Sequence, residues 1–268
     1  MSSPFRPSPQ NNDTDLNERT SLLPGPSTST SAVSQLDNLP QQEQMGRPSV
    51  SASTYLQQSL FSDLAGGMAQ LGLLVAMLQL WWVLYKHPAG LFSWHPALQS
   101  CAIIGFAEGV LLLQPPPKNQ AVKQKGLTLH QVFQFTALPV ILAGSSVIIY
   151  NKAIHAAKHI TTWHALFGLI TLSLLLLQII FGAFVVYSPL TKIFGGDSQA
   201  KAAWKYHRIT GYLTLSFLFA TPLLALDSDW VHNNSSFAER LVIGSGLGVT
   251  ALGVLTRISL GKLGVRRT

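Results

Sequence analysis

The sequence predicts an all-α protein, a bundle of six transmembrane helices preceded by a disordered N-terminal tail. Hydrophobic residues make up 47% of the 268-residue chain and charged residues only 11%, whereas a soluble domain usually carries about 25% charge. The apolar residues are concentrated in six segments of about 20 residues, the length that crosses a bilayer. The formal net charge of +7 therefore indicates basic loops that orient a membrane protein, and not a nucleic-acid-binding surface.

The first 60 residues are rich in Ser, Pro, Gln, Asn and Thr. Such a segment buries too little apolar surface to offset the entropy of ordering it. We therefore expect a disordered cytosolic tail at 1–60 and the transmembrane domain at 61–268, with no signal peptide. Within the tail, Glu18 precedes Leu22 and Leu23, a pattern that resembles an adaptor-read dileucine signal. It predicts a vacuolar or endosomal membrane.

The six predicted spans differ in how apolar they are. The second contains Glu108 and the single cysteine, Cys101, and the sixth is rich in glycine. One cysteine cannot form an internal disulfide or a thiol redox pair. The spans are 66–85, 94–113, 128–150, 163–187, 207–226 and 241–260.

Loop charge predicts the orientation of these spans. If the tail is cytosolic, 14 of the 18 Lys and Arg residues lie on the cytosolic side and 4 on the other, as the positive-inside rule requires. The loop between the fifth and sixth spans then lies outside the cytosol. It carries two overlapping glycosylation sequons, at Asn233 and Asn234, and glycosylation requires that location.

Four histidines fall near the start of the second to fifth spans, at His95, His130, His164 and His207. Ionisable groups inside a membrane are costly and usually functional. Successive helices enter from opposite faces, so His95 and His164 lie near the non-cytosolic face and His130 and His207 near the cytosolic face. Two imidazoles from facing helices can fill both axial positions of one haem. The pattern predicts two b-type haems, one per leaflet, held by the four central helices.

Other interpretations of the histidines stay open on the sequence alone. Zinc is disfavoured, because two histidines per leaflet with no cysteine or carboxylate beside them make a poor tetrahedral site. A proton relay that includes Glu108 would make the chain a transporter. A third alternative is a haem-binding module that serves another enzyme.

Three glycines share helix faces with the histidines. Gly168 and Gly211 follow His164 and His207 by one turn, and Gly182 follows His164 by five turns. These positions would give a flat porphyrin room, although glycine is also common where membrane helices pack.

Several stretches resemble the cytochrome b561 family, in particular its short branch without an extracellular domain. The resemblance covers approximately 64–260 and is carried by LFSWHPALQSCAIIGFAEGVLLL, QKGLTLHQVFQF, TTWHALFGLI and KYHRITGYLTL. It implies electron transfer from cytosolic ascorbate, through two haems, to monodehydroascorbate or a ferric chelate on the other side. It also implies that His95 pairs with His164, that His130 pairs with His207, and that the protein can be a homodimer.

Basic residues flank the cytosolic histidines. By the resemblance, Lys125 is a candidate for binding the anionic donor, while Lys123, Lys205 and Arg208 are candidates for haem propionates. On the far side, His155 and His159 precede His164 together with Lys152 and Lys158. These four could bind an anionic acceptor or be ordinary solvated loop residues, and the sequence leaves their role open.

Overall fold

The computed structural model describes residues 51–186, 191–192 and 195–258, and the regular secondary structure in this part of the chain is helical. The Glu18–Leu23 sorting pattern and most of the expected tail lie outside the described residues. The helices are α1 (Ala52–Leu60), α2 (Leu64–Lys86), α3 (Trp94–Leu111, after a 3₁₀ turn at Gly90–Ser93), α4 (Gln120–Ile154), α5 (Trp163–Val186), α6 (Asp197–Ala225), α7 (Asp229–Asn234) and α8 (Phe237–Thr256).

Helices α2 to α6 and α8 correspond to the six predicted spans. Five of them are long and apolar enough to cross a membrane, and α3 is the exception. His95, Gln99 and Glu108 lower the hydropathy of α3. Its apolar residues are nonetheless among the most buried in the protein, with Phe106 only 1% exposed. Neighbouring helices therefore surround α3 and make a uniformly apolar surface unnecessary.

The ends of three elements differ from the expected ones. Residues 52–60, which were expected to be disordered, form α1. The Ser51 side chain caps this helix by accepting a hydrogen bond from the Thr54 amide, and Tyr55 and Leu60 are buried against the bundle. Helices α4 and α6, which correspond to the third and fifth predicted spans, begin well before the predicted residues 128 and 207. Their first turns are polar and extend them past the apolar segments that the hydropathy pattern detects.

The long helices pack as three antiparallel pairs, α2 with α8, α3 with α4, and α5 with α6, and contacts between pairs are sparser. Small residues bring α2 and α8 together, because a Cβ at Gly246 would lie 2.7 Å from the Gly72 carbonyl oxygen. The Thr250 hydroxyl adds a hydrogen bond of 3.1 Å to the Ala69 carbonyl. Close contact between small residues is the usual source of helix association in membranes.

An ion pair joins α2 and α8 at each end. Lys86 Nζ lies 2.6 Å from Glu239 Oε1 at one end, and Arg257 Nε lies 3.4 Å from Asp63 Oδ2 at the other. The second of these ends also carries the lysines of the α3–α4 connection and of the first turns of α4, and we call it the basic end.

The α2–α8 contact predicts a position-specific effect of added volume. Gly246→Val places side-chain atoms against the backbone of α2, and overpacking of this kind costs about 1–3 kcal/mol. Gly248→Val is the matched control, because a Cβ at Gly248 has no neighbour within 4 Å and the change in helix propensity is the same. We expect Gly246→Val to lower the melting temperature of detergent-purified protein clearly more than Gly248→Val. Equal melting temperatures would contradict the packing described.

Candidate functional site

His95 at the start of α3 and His164 at the start of α5 come together at the end opposite the basic end. Their ring centroids are 6.1 Å apart with an interplanar angle of 76°. A ligating imidazole nitrogen lies about 2 Å from its metal, so two imidazoles on opposite sides of one metal hold their ring centres about 6 Å apart. The expected proximity of these two histidines is confirmed, and the spacing matches one metal between the rings.

His130 of α4 and His207 of α6 both lie towards the basic end of their helices. The His207 ring stands against α5, where a Cβ at Gly182 would lie 3.0 Å from His207 Cε1. The Phe181 ring lies 5.9 Å from the His207 ring, centroid to centroid. Gly182 thus reaches the His207 end of the bundle, as expected, but its missing side chain makes room for the His207 ring and not for a porphyrin.

Three of the four imidazoles are oriented by backbone carbonyls of the partner helix in their own pair. The Nδ1–O distances are 2.9 Å for His95 to Gly144, 2.7 Å for His130 to Gly109, and 2.9 Å for His164 to Thr221. A carbonyl oxygen can only accept, so each Nδ1 carries the proton. The lone pair of each Nε2 is thereby left for a metal, the arrangement that usually orients a ligating histidine.

These carbonyls follow a sequence rule that the hydropathy analysis did not detect. Each acceptor comes fourteen residues after the histidine of its own helix, for example Gly144 after His130. Fourteen residues are nearly four turns, so acceptor and histidine share a face and lie about 21 Å apart along the helix. The two histidine layers are therefore separated by about two thirds of an apolar bilayer core of about 30 Å.

His207 departs from this rule. The carbonyl at the corresponding position is that of Gln178, but the Gln178 side chain instead donates a 2.8 Å hydrogen bond to the His207 carbonyl. In the described part of the chain, His207 Nδ1 is buried without a hydrogen-bond partner. Its ring is held by contact with Gly182 and Phe181, and not by a carbonyl.

The His95–His164 pair fits a haem, because its ring spacing suits two axial imidazoles. The α3–α4 and α5–α6 pairs contact each other sparsely, and His95 and His164 lie across the boundary between these pairs. A Cβ at Gly168 would meet one atom, Thr221 Cγ2, at 3.7 Å, which is ordinary contact. Gly211 differs from the expectation, because a Cβ there would lie 2.8 Å from Gln178 Nε2. Gly211 therefore accommodates Gln178 and not a porphyrin.

At the basic end, Lys123 and Lys125 are half-buried in the first turns of α4, before His130. Lys205 is exposed, with its Nζ 4.8 Å from the centre of the Tyr206 ring. Arg208 directly follows His207 and is half-buried. The structure thus collects the predicted basic residues around the His130–His207 layer.

At the opposite end, His155 and His159 are exposed in the α4–α5 connection. His155 Nδ1 donates to the Asn151 carbonyl at 2.7 Å. Two non-glycine residues of this connection, Ala156 and Ile160, have φ values of 49° and 54°, which costs about 1–3 kcal/mol each. The connection is therefore held in a strained conformation.

Two aromatic contacts of Phe92, in the 3₁₀ turn before α3, were not predicted from the sequence. The Phe92 ring lies 6.3 Å from the His95 ring and 5.2 Å from the Trp230 ring, centroid to centroid. Helix α7 carries Trp230, so the contact between Phe92 and Trp230 brings α7 against the 3₁₀ turn that precedes α3. Only the clustering of aromatic residues at span ends could have indicated this contact.

Glu108 has a partner that does not belong to the histidine sites. Its side chain is 7% exposed and accepts a 2.9 Å hydrogen bond from Gln70 Nε2 of α2. The carboxylate therefore joins α2 to α3. This contact gives Glu108 a structural role and weakens the proton-relay interpretation.

Comparison with known proteins gives two kinds of match, to a family model and to individual relatives. Residues 94–232 match the family model described as eukaryotic cytochrome b561. The chain is also similar to proteins named transmembrane reductase CYB561D2 from Bos taurus, Homo sapiens and Mus musculus, with 30% identity over 151 residues in each case. The match covers 55% of this chain and 66% of each relative, so it spans slightly less than two thirds of their length.

The contact between Gly182 and His207 predicts a local effect on cofactor binding. Gly182→Val pushes the imidazole away, because even a Cβ meets Cε1 at 3.0 Å. We expect purified Gly182→Val to bind less haem per polypeptide than wild type, measured from absorbance after extraction into pyridine. The control is Gly248→Val, which adds the same side chain at a position without neighbours. Wild-type haem content in Gly182→Val would contradict the predicted contact.

Proposed function

Because the chain belongs to the eukaryotic cytochrome b561 family, whose members hold haem b, we propose that it is a transmembrane oxidoreductase with two bis-histidine haem sites. His95 and His164 would hold one haem b, and His130 and His207 the other. The observation that carries the proposal is the 6.1 Å separation of the His95 and His164 rings, with both Nδ1 atoms already bonded to carbonyls. That geometry leaves both Nε2 atoms for one iron.

When bound, each haem supplies a one-electron carrier whose axial positions are both filled, which favours electron transfer over oxygen binding. The protein's residues fix where the carriers lie. The carbonyls of Gly144, Gly109 and Thr221 hold three imidazoles in one tautomer and orientation. With this fourteen-residue spacing the two layers would lie near opposite membrane surfaces, so neither electron donor nor acceptor would have to enter the bilayer.

The basic end is assigned to the cytosol. Lys118, Lys123 and Lys125 lie on this side together with Arg208 and Arg257, and basic residues accumulate on the cytosolic side of membrane proteins. The N terminus then lies in the cytosol, where an adaptor could read the Glu18–Leu23 pattern. This assignment supports the proposal of a vacuolar or endosomal membrane.

The proposed donor is ascorbate, an anion at neutral pH. Lys125 lies five residues before His130 and is half-buried, and its positive charge would attract an anion that reaches this end. In each turnover ascorbate loses one electron and one proton and becomes monodehydroascorbate in the cytosol. Lys125 would orient the donor close to the His130–His207 layer.

The proposed acceptor at the other end is monodehydroascorbate or a ferric chelate. Monodehydroascorbate would take up one electron and one proton to give ascorbate, and a ferric chelate would take up one electron to become ferrous. Lys152 in the last turn of α4, with His155, Lys158 and His159 in the connection that follows, lies at this end. These residues supply positive or hydrogen-bonding groups for such anions. A homodimer, which the family resemblance implies, stays a prediction.

The pairing of the histidines predicts which variants behave alike. His95→Ala and His164→Ala should remove the same spectral component from the reduced absorbance and low-temperature electron paramagnetic resonance spectra, because each deletes one axial ligand of one haem. His130→Ala and His207→Ala should remove the other component. His155→Ala serves as a control with an exposed histidine and should retain both. Loss of the same component in His95→Ala and His130→Ala would refute the pairing, and a wild-type protein without haem would refute the function.

The proposed donor site at Lys125 predicts that its loss changes the ascorbate KM and not reduction of the haems by other reductants. Lys125→Ala should raise the ascorbate KM at least about tenfold, since a charge-assisted hydrogen bond contributes about 1.5–3 kcal/mol, while reduction by dithionite stays complete. Stopped-flow absorbance of the haem bands measures both. Lys152→Ala removes a lysine at the opposite end and should leave the ascorbate KM unchanged. Equal effects of the two variants would argue against a donor site at Lys125.

A further inference from the structure

Helix α1 lies outside the family match at 94–232, yet it is built into the basic end of the bundle. Its Tyr55 side chain is only 7% exposed. The Tyr55 hydroxyl donates a 2.9 Å hydrogen bond to the Leu112 carbonyl, just after the end of α3. A buried tyrosine usually needs such a partner for its hydroxyl, and here the partner is a carbonyl that no longer belongs to the regular α3 ladder.

The Tyr55 ring also stands directly on α4. A Cβ added at Gly126 would collide with the Tyr55 hydroxyl oxygen, so only glycine leaves room for the ring there. Gly126 is adjacent to Lys125 and precedes His130 by four residues, which places it one turn away on the same face. Tyr55 therefore touches the turn of α4 that presents Lys125.

The hydrogen bonds donated by His130 and by Tyr55 reach backbone carbonyls in successive turns at the C-terminal end of α3. His130 donates to the Gly109 carbonyl, and Tyr55 donates to the Leu112 carbonyl, three residues further along the chain and just past the end of α3. Helix α3 ends at Leu111, whereas α4 begins at Gln120 and runs past it. Tyr55 thus fills the position beside the first turns of α4 that α3 is too short to occupy.

The other end of α1 is fixed by Arg257 from α8. Arg257 Nη2 donates to the Ser59 carbonyl at 2.6 Å and to Ser62 Oγ at 3.1 Å, and the Arg257 side chain is 4% exposed. Asp63, the residue that caps α2, completes this contact through its ion pair with Arg257. Helix α1 is therefore fastened to α3 and α4 by Tyr55 and to α8 by Arg257.

We propose that Tyr55 is a positioning residue of the electron-entry site, holding the first turns of α4 so that Lys125 and His130 keep their relative placement. This inference rests on the proposed function for the identity of the donor. The contact between Tyr55 and α4 does not depend on the proposed function. Helix ends open locally at low free energy unless they are packed. A first turn of α4 without Tyr55 would leave Lys125 on a fraying segment and weaken donor binding while both haems stay bound.

The kinetic test compares Tyr55→Phe, Tyr55→Leu and the control Gln58→Ala, which alters an exposed residue of the same helix. We expect Tyr55→Phe to raise the ascorbate KM about fivefold, the factor that one typical neutral hydrogen bond contributes to an equilibrium. Tyr55→Leu should raise it further, because the ring is lost as well. Haem content and the extent of reduction by dithionite should equal those of wild type in all three variants. An unchanged KM in Tyr55→Leu overturns the proposal, as does an equal rise in Gln58→Ala.

A second measurement is independent of ascorbate. Hydrogen–deuterium exchange of the haem-loaded protein should show faster exchange at amides 120–127 in Tyr55→Phe and Tyr55→Leu, with no change in Gln58→Ala. Unchanged exchange at 120–127 overturns the proposal. If wild-type protein is not reduced by ascorbate, the proposed donor fails, and the exchange result still decides whether Tyr55 holds α4.

Discussion

The hydrogen bonds from imidazole Nδ1 to backbone carbonyls set the geometry on which the site depends. A bond from His95 to Gly144 and one from His130 to Gly109 can both form only in one antiparallel register of α3 and α4. The same bonds fix the tautomer of each ring and direct its Nε2 away from the hairpin. One set of contacts thus specifies helix register, ring orientation and metal-binding capacity together.

A histidine side chain can reach a backbone carbonyl of the neighbouring helix only if little side-chain volume separates the two helices. Gly109 and Gly144 are both acceptors, and a Cβ at Gly105 would lie 2.9 Å from the Ala137 Cβ, so α3 and α4 approach closely along their length. Within the α5–α6 pair the acceptor is Thr221, and the corresponding position on the other helix is Gln178, whose amide occupies the space beside Gly211. The two hairpins follow the same plan, but His207 alone is positioned by packing.

Much of this arrangement was predictable from the sequence. Apolar length gave the six helices, and loop charge with helix alternation placed His95 near His164 and His130 near His207. Hydropathy could not find α1, because its burial comes from a few residues such as Tyr55 and not from an apolar run. It also placed the starts of α4 and α6 too late, since their first turns are polar. The carbonyl partners were missed because a backbone acceptor leaves no side-chain signal, apart from a spacing of fourteen residues.

The low hydropathy of α3 bears on how the protein is assembled. A charged residue at the centre of an inserting helix costs about 2.5–3.5 kcal/mol, and α3 carries Glu108 together with the polar Gln99 and His95. Helix α2 is synthesised first and offers Gln70 to Glu108, and α4 offers the Ile141 carbonyl and the Ser145 hydroxyl to Gln99. Entry of α3 into the bilayer is therefore cooperative with its neighbours, so the least lipid-soluble helix depends on helix–helix recognition during biogenesis.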